Sequence, residues 1–233
     1  MKNWEDHYNT IPLQVKSDDY LRQVGKTVAG QTINTTQFEL IVNSITNNLK
    51  LENDDLVLDL CCGNGLITHQ LSEHCSRIDG VDFSKPLIDV AKSVHSPENC
   101  NYKHKSILEL TEQDFPYKFT KVFMYEALQH FSATQFETIL KILMKIMKPS
   151  GTVFLGSIPN KDQLWNFYNS FPRKVDYLKR KIFNNEAIGH WWKSNSVLKV
   201  CEKLGMKCTV MNQNLDLYTA HYRFDAVIQI EKN

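Results

Sequence analysis

Two carboxylates close two apolar runs: Asp59 in "LVLDLCCGNGLIT" and Asp82 in "RIDGVDFS". After the first acid come Cys61, Cys62, Gly63, Asn64 and Gly65, a tight small-residue turn that lets a ligand approach the backbone closely. Asp82 can accept both hydroxyl hydrogens of a ribose. Further on, His130 in "YEALQHF" is a candidate general base, with Glu126 four residues before it. His221 and Tyr222 in "TAHYRFD", and His190 beside Trp191 and Trp192, are further polar or aromatic groups that could face a substrate.

The spacing around Asp59 separates two ligand classes. A dinucleotide fingerprint wants a third glycine where this chain has Thr68. A pyrophosphate at the following helix N-terminus would also be repelled by a carboxylate at the strand's end. S-adenosylmethionine has no phosphate and brings an α-ammonium and a sulfonium, so an acid there helps it. Charge therefore favours the methyl donor over NAD, although Asp82 would serve either ribose. The plainer roles are a helix cap for Asp59, a turn for Asp82 and packing for the adjacent cysteines.

These residues need strands that end at a common edge, and the hydrophobic pattern supplies them. Phe38, Ile41, Ile45 and Leu49 recur at helical spacing. Then come a strand in "DLVLDLC", a helix in "LITHQLSEH" and a strand in "RIDGVDFS". Ser84 caps a helix with Pro86 in its first turn. "NYKHKSI" and "KVFMYEAL" read as the next strands. Ser132 and Gln135 form a capping box ahead of an apolar stripe of Phe136, Ile139, Leu140, Leu143 and Met147, which "KPSG" stops. "TVFLGSI" is a fifth strand and "SVLKVCEKLG" a helix. "KCTVMNQ" and "FDAVIQI" follow with no helix between them. Alternating strands and helices predict an α/β fold with a doubly wound, mostly parallel seven-stranded sheet and an antiparallel edge hairpin.

With the motifs in that order, the chain resembles the class I S-adenosylmethionine-dependent methyltransferases, with a Rossmann-like methyltransferase fold. "DLCCGNG" follows their D-x-G-x-G-x-G motif with Cys61 in place of the first glycine. "GVDFS" matches the ribose-binding acid motif, "YEALQHF" the segment after the fourth strand and "MKPSG" the approach to the fifth. The resemblance implies a donor site of Asp59, Cys61, Gly63, Asn64, Gly65, Asp82, Phe83, Ser106, Ile107 and Tyr125. It implies His130 as the catalytic candidate and Glu126, Trp191, His221 and Tyr222 on the acceptor side. It also implies Tyr8, Gly25 or Thr27 near the donor. His7, His69, His74, His95 and His104 read as exposed helical or loop positions.

At 233 residues, one domain is expected over 1–233, with residues 1–35 as a covering segment and 160–194 as an aromatic, lid-like insertion. The net charge of +1 argues against a nucleic-acid acceptor such as tRNA, because phosphate binding needs a strongly basic face. No "[DN]-P-P-[YFW]" segment is present. The expected partner is a small molecule carrying an oxygen or nitrogen nucleophile. A non-catalytic module that only binds S-adenosylmethionine is the remaining alternative. The chain has no 18-residue apolar run and no apolar leader, and its six cysteines include no CxxC pair. A cytoplasmic, metal-independent protein with no membrane span is expected.

Overall fold

The computed structural model describes residues 4–28, 30–183 and 185–230. Two short helices, α1 (Trp4–Gln14) and α2 (Tyr20–Gln23), precede a small hairpin of β1 (Thr27–Val28) and β2 (Gln31–Thr32). Helix α3 (Thr35–Leu49) follows, capped by the Asn34 side chain on the Gln37 amide. The alternating part then runs β3 (Leu56–Leu60), α4 (Leu66–Leu71), β4 (Arg77–Asp82), α5 (Lys85–Val94), β5 (Cys100–His104), β6 (Phe119–Tyr125), α6 (Ala133–Ile146) and β7 (Met147–Pro159). Helices α7 (Leu164–Phe167), α8 (Phe171–Ile182) and α9 (Ser194–Lys203) lead to β8 (Lys207–Asn212) and β9 (Arg223–Gln229).

Seven strands pair in the order β5-β4-β3-β6-β7-β9-β8. The first five are parallel, and β9 is antiparallel to both β7 and β8. Side chains alternate between two cores. Leu58, Leu60, Val122 and Met124 pack with Phe136, Leu140 and Val197 of α6 and α9. Val57, Ile78 and Phe123 pack with Ile41, Ile45 and Ile88 of α3 and α5. Each such side chain contributes roughly 1.5–3 kcal/mol by leaving water. Strand order reverses between β3 and β6, so the crevice of the sheet opens at their carboxyl ends.

Three boundaries differ from the sequence pattern. Strand β6 stops at Tyr125 instead of running on to Leu128, because Glu126 turns into the left-handed region at φ 53°. Helix α6 ends at Ile146, and Met147, though buried, is already extended. The "KPSG" segment lies inside β7, where the register shifts between Phe119 and Lys121 and Ser150 has φ 65°. A bulge absorbs the turn that its composition suggests.

Candidate functional site

The loop after β3 is shaped by three left-handed residues: Cys61 at φ 62°, Gly63 at 57° and Gly65 at 76°. At Gly65 even a methyl group would sit 2.6 Å from the Tyr102 hydroxyl, so a side chain has no room. Asn64 ties the loop to α2, its amide donating to the Gln23 side chain at 2.9 Å and the Tyr20 carbonyl at 2.8 Å. From the other side, His95 Nδ1 meets the Asn64 carbonyl at 2.8 Å. His95 is therefore not the exposed position that its sequence suggests but a buried brace, 5% accessible.

A cavity opens over this loop. Cys61, Gly63 and Asn64 line it from β3, Asp82 and Phe83 from β4, and Tyr125, Glu126 and His130 from the end of β6. Asp82 accepts the Gly63 amide at 2.9 Å and the Ser84 amide at 2.8 Å. Burial raises its pKa against those two bonds. Asp59 lies behind the loop and does not line the cavity. It is buried, accepts the Thr68 hydroxyl at 2.6 Å, and is pushed up to about 8 by desolvation. Gly65 opens α4 beneath Tyr102. Ser106 caps the turn at Ile107–Glu109, and Ile107 is buried in the core; neither lines this cavity.

Glu126 carries the densest set of contacts. Lys26 forms an ion pair with it, and Tyr218 donates to it at 3.1 Å and Ser157 at 3.4 Å. Burial alone would raise this carboxyl, yet the charges of Lys26 and Arg223 hold it at about 2. Helix α1 reaches across the same region. The Tyr8 hydroxyl shares a hydrogen bond with His130 Nε2 at 3.3 Å, and Trp4 packs on the His130 ring at 4.3 Å. The Tyr8 backbone is held by the Ser84 hydroxyl at 3.0 Å. Burial, then the nearby Glu126 and Asp82, raise the Tyr8 phenol, which stays protonated.

A second, larger cavity adjoins the first. Trp4, Tyr8, Val24, Glu126 and His130 line both. His221, Tyr222 and Arg223 at the start of β9, and Gly25 and Thr27 near the hairpin, bound only the larger one. Phe167, Arg173 and Ile188, from the 160–194 stretch, do likewise. Trp191 instead packs behind that wall, with Leu164, Tyr168 and Tyr222. His190 is exposed and edge-on to Trp192. Sequence reasoning missed Lys26, Tyr218 and Arg223. Arg223 lies within "TAHYRFD", yet only distant partners in the fold mark these three residues. No group of three metal-ligating side chains occurs among the described residues.

The family profile described as "Methyltransferase domain" matches residues 57–151. Ubiquinone biosynthesis O-methyltransferase of Coxiella burnetii is 32% identical over 145 residues, covering 61% of this chain and 58% of that protein. The protein of the same name from Dechloromonas aromatica is 28% identical over 113 residues, 48% of this chain and 47% of that one. The chain thus spans between about half and three-fifths of these relatives. Among solved structures, a DhpI–SAH complex superposes with a TM-score of 0.64 at 14% identity, covering 98% of this chain and 95% of that one. Magnesium protoporphyrin IX methyltransferase (ChlM) from Synechocystis with bound SAM gives 0.60 at 14%, covering 97% and 94%. At that identity the likeness is one of fold.

Proposed function

We propose that the chain is a class I S-adenosylmethionine-dependent methyltransferase, which the methyltransferase profile over residues 57–151 and the O-methyltransferase relatives support, and that it transfers a methyl group from S-adenosylmethionine to the hydroxyl of a small molecule held in the larger cavity. The observation that carries this is the shared wall: Trp4, Tyr8, Val24, Glu126 and His130 face both cavities. An in-line displacement needs two chambers that meet at one point, with water kept out.

The residues present fit the donor. Gly63 spends its amide on Asp82, which removes the backbone donor that a pyrophosphate would require and presents acid to ribose hydroxyls. Phe83, Leu87 and Ile67 supply an apolar lining suited to an adenine ring. When bound, S-adenosylmethionine supplies a methyl group on a positively charged sulfur. His130 then accepts the acceptor's hydroxyl proton, while Tyr8 and Trp4 orient its ring. The Lys26–Glu126 pair fixes the loop that carries His130. The relatives' O-methyltransferase name supports oxygen as the nucleophile, and the +1 net charge supports a small molecule over tRNA. All six cysteines are free thiols, which suits the cytoplasm. No described helix is long and apolar enough to cross a membrane.

Calorimetry with S-adenosylhomocysteine and with NADH tests the donor. Binding of the first and not the second is expected, and the reverse would remove the reading. His130→Ala should lower kcat by about 10²–10⁴-fold for a hydroxyl acceptor. S-adenosylhomocysteine affinity should stay within about threefold, less than 1 kcal/mol. Unchanged turnover would reduce His130 to a brace.

A further inference from the structure

The larger cavity is lined by three guanidiniums, Arg22, Arg173 and Arg223, and by a single acid, Glu126. Arg22 is matched by Asp19 at 2.9 Å, and Glu126 by Lys26. Arg173 and Arg223 form no ion pair among the described residues. Each lies over one of two rings tilted 44° to each other. The Arg173 guanidinium lies 4.5 Å from the Phe167 centroid, Phe167 lies 4.7 Å from Tyr222, and Arg223 lies 5.1 Å from the Tyr222 ring. All four line the cavity.

Arg223 is 6% accessible. Its Nη1 donates to the Ser157 carbonyl, and its Nε has no hydrogen-bond partner. A buried guanidinium left short of partners is costly unless an anion completes its shell. Glu126 is near enough to feel Arg223, but its carboxylate is already engaged by Lys26, Tyr218 and Ser157. His221, lining the same cavity, is held toward its neutral form by burial and then by Arg173, so it adds a donor without adding charge.

Resting on the methyl-transfer reading above, we propose that the acceptor carries a carboxylate or phosphoryl group, held by Arg173 and Arg223, with its planar or apolar body against Phe167 and Tyr222. The hydroxyl to be methylated then faces the His130 wall. Guanidinium pairs suit this because their planar N–H forks match both anions, and the cation–π contacts with Phe167 and Tyr222 hold the forks in place. The two arginines come from different elements, one on α8 and one opening β9. They select the acceptor without touching the donor.

The test is calorimetric titration of the S-adenosylhomocysteine-loaded protein with para-hydroxybenzoate, para-hydroxybenzamide and phenyl phosphate. At least one anion should bind at least about tenfold tighter than the neutral amide, the factor expected of a charge-assisted contact. Which anion wins separates carboxylate from phosphoryl recognition. Arg173→Gln should erase the preference with unchanged S-adenosylhomocysteine affinity; Arg173 is exposed, so folding is not at stake. Arg223→Lys, which keeps the charge but loses the fork, should weaken the anion more than the amide. Equal binding of anion and amide, or no anion binding by protein that takes up S-adenosylhomocysteine, overturns the inference. Failure of S-adenosylhomocysteine itself to bind would instead overturn the methyl-transfer reading.

Discussion

Cys61 stands at the first glycine of the D-x-G-x-G-x-G pattern, and the structure keeps a glycine's geometry there: its φ is 62°. An L-residue in that region costs roughly 1–2 kcal/mol. Cys61→Gly should therefore be more stable than Cys61→Ala by about 1 kcal/mol in urea melts, the reverse of the usual Ala-over-Gly order. An equal or inverted order would mean that the loop relaxes around the side chain. Asp59 makes a second prediction. Its carboxyl is pushed up to about 8 when folded, by burial, against an ordinary value of 3.8. A raised carboxyl stabilises the fold below its unfolded pKa, and that contribution drains away as pH climbs through the folded value. Asp59→Asn, which keeps an acceptor for Thr68, should match the wild type near pH 4 and melt progressively higher than it up to about pH 8. A constant Tm difference would refute the assignment. The acid was readable in the motif; that Thr68 and burial take it up, leaving Asp82 to face the cavity, was not.

At the scale of elements, the segment between α2 and β1 is joined to the end of β6 by Lys26 and Glu126, which are 4% and 15% accessible respectively, the latter by its side chain. Removing one partner strands a buried charge, so Lys26→Met should destabilise by about 3–5 kcal/mol, and adding Glu126→Gln should recover most of it. The pH signature has the opposite sign to that of Asp59. Glu126 is held at about 2, below its ordinary 4.5, by Lys26 and Arg223 against burial. Its contribution is present above about pH 4.5 and is lost as the solution acidifies toward 2. Chemical denaturation from pH 7 to pH 3 would show the wild type losing part of this term and the Lys26→Met variant, which keeps only Arg223, losing less. Periodicity and caps foretold α5 and α6, because Ser84 and Ser132 act on amides within three residues. They could not foretell where β6 ends, since the left-handed turn at Glu126 answers to partners as distant in sequence as Lys26 and Tyr218.

The whole molecule assembles the proposed donor chamber from the sheet edge and from α1, whose only fully buried residue is Pro12. A ligand that touches both should stabilise them together. S-adenosylhomocysteine at 100 times its Kd should add about 2.7 kcal/mol to unfolding. A chain lacking residues 1–15 should still unfold cooperatively, since both cores lie elsewhere, but should lose most of that ligand-induced rise in Tm; a full rise would show that α1 does not contribute. The sequence alone determined the α/β order, the edge hairpin and the glycine turn with its two acids, because each rests on local spacing, capping or backbone conformation. The tertiary structure decided which side chains share a cavity. Tyr8 meets His130, Lys26 meets Glu126, and Arg173 and Arg223 flank one pair of rings. Such meetings depend on how strands and helices pack across the sheet, and no spacing along the chain encodes them.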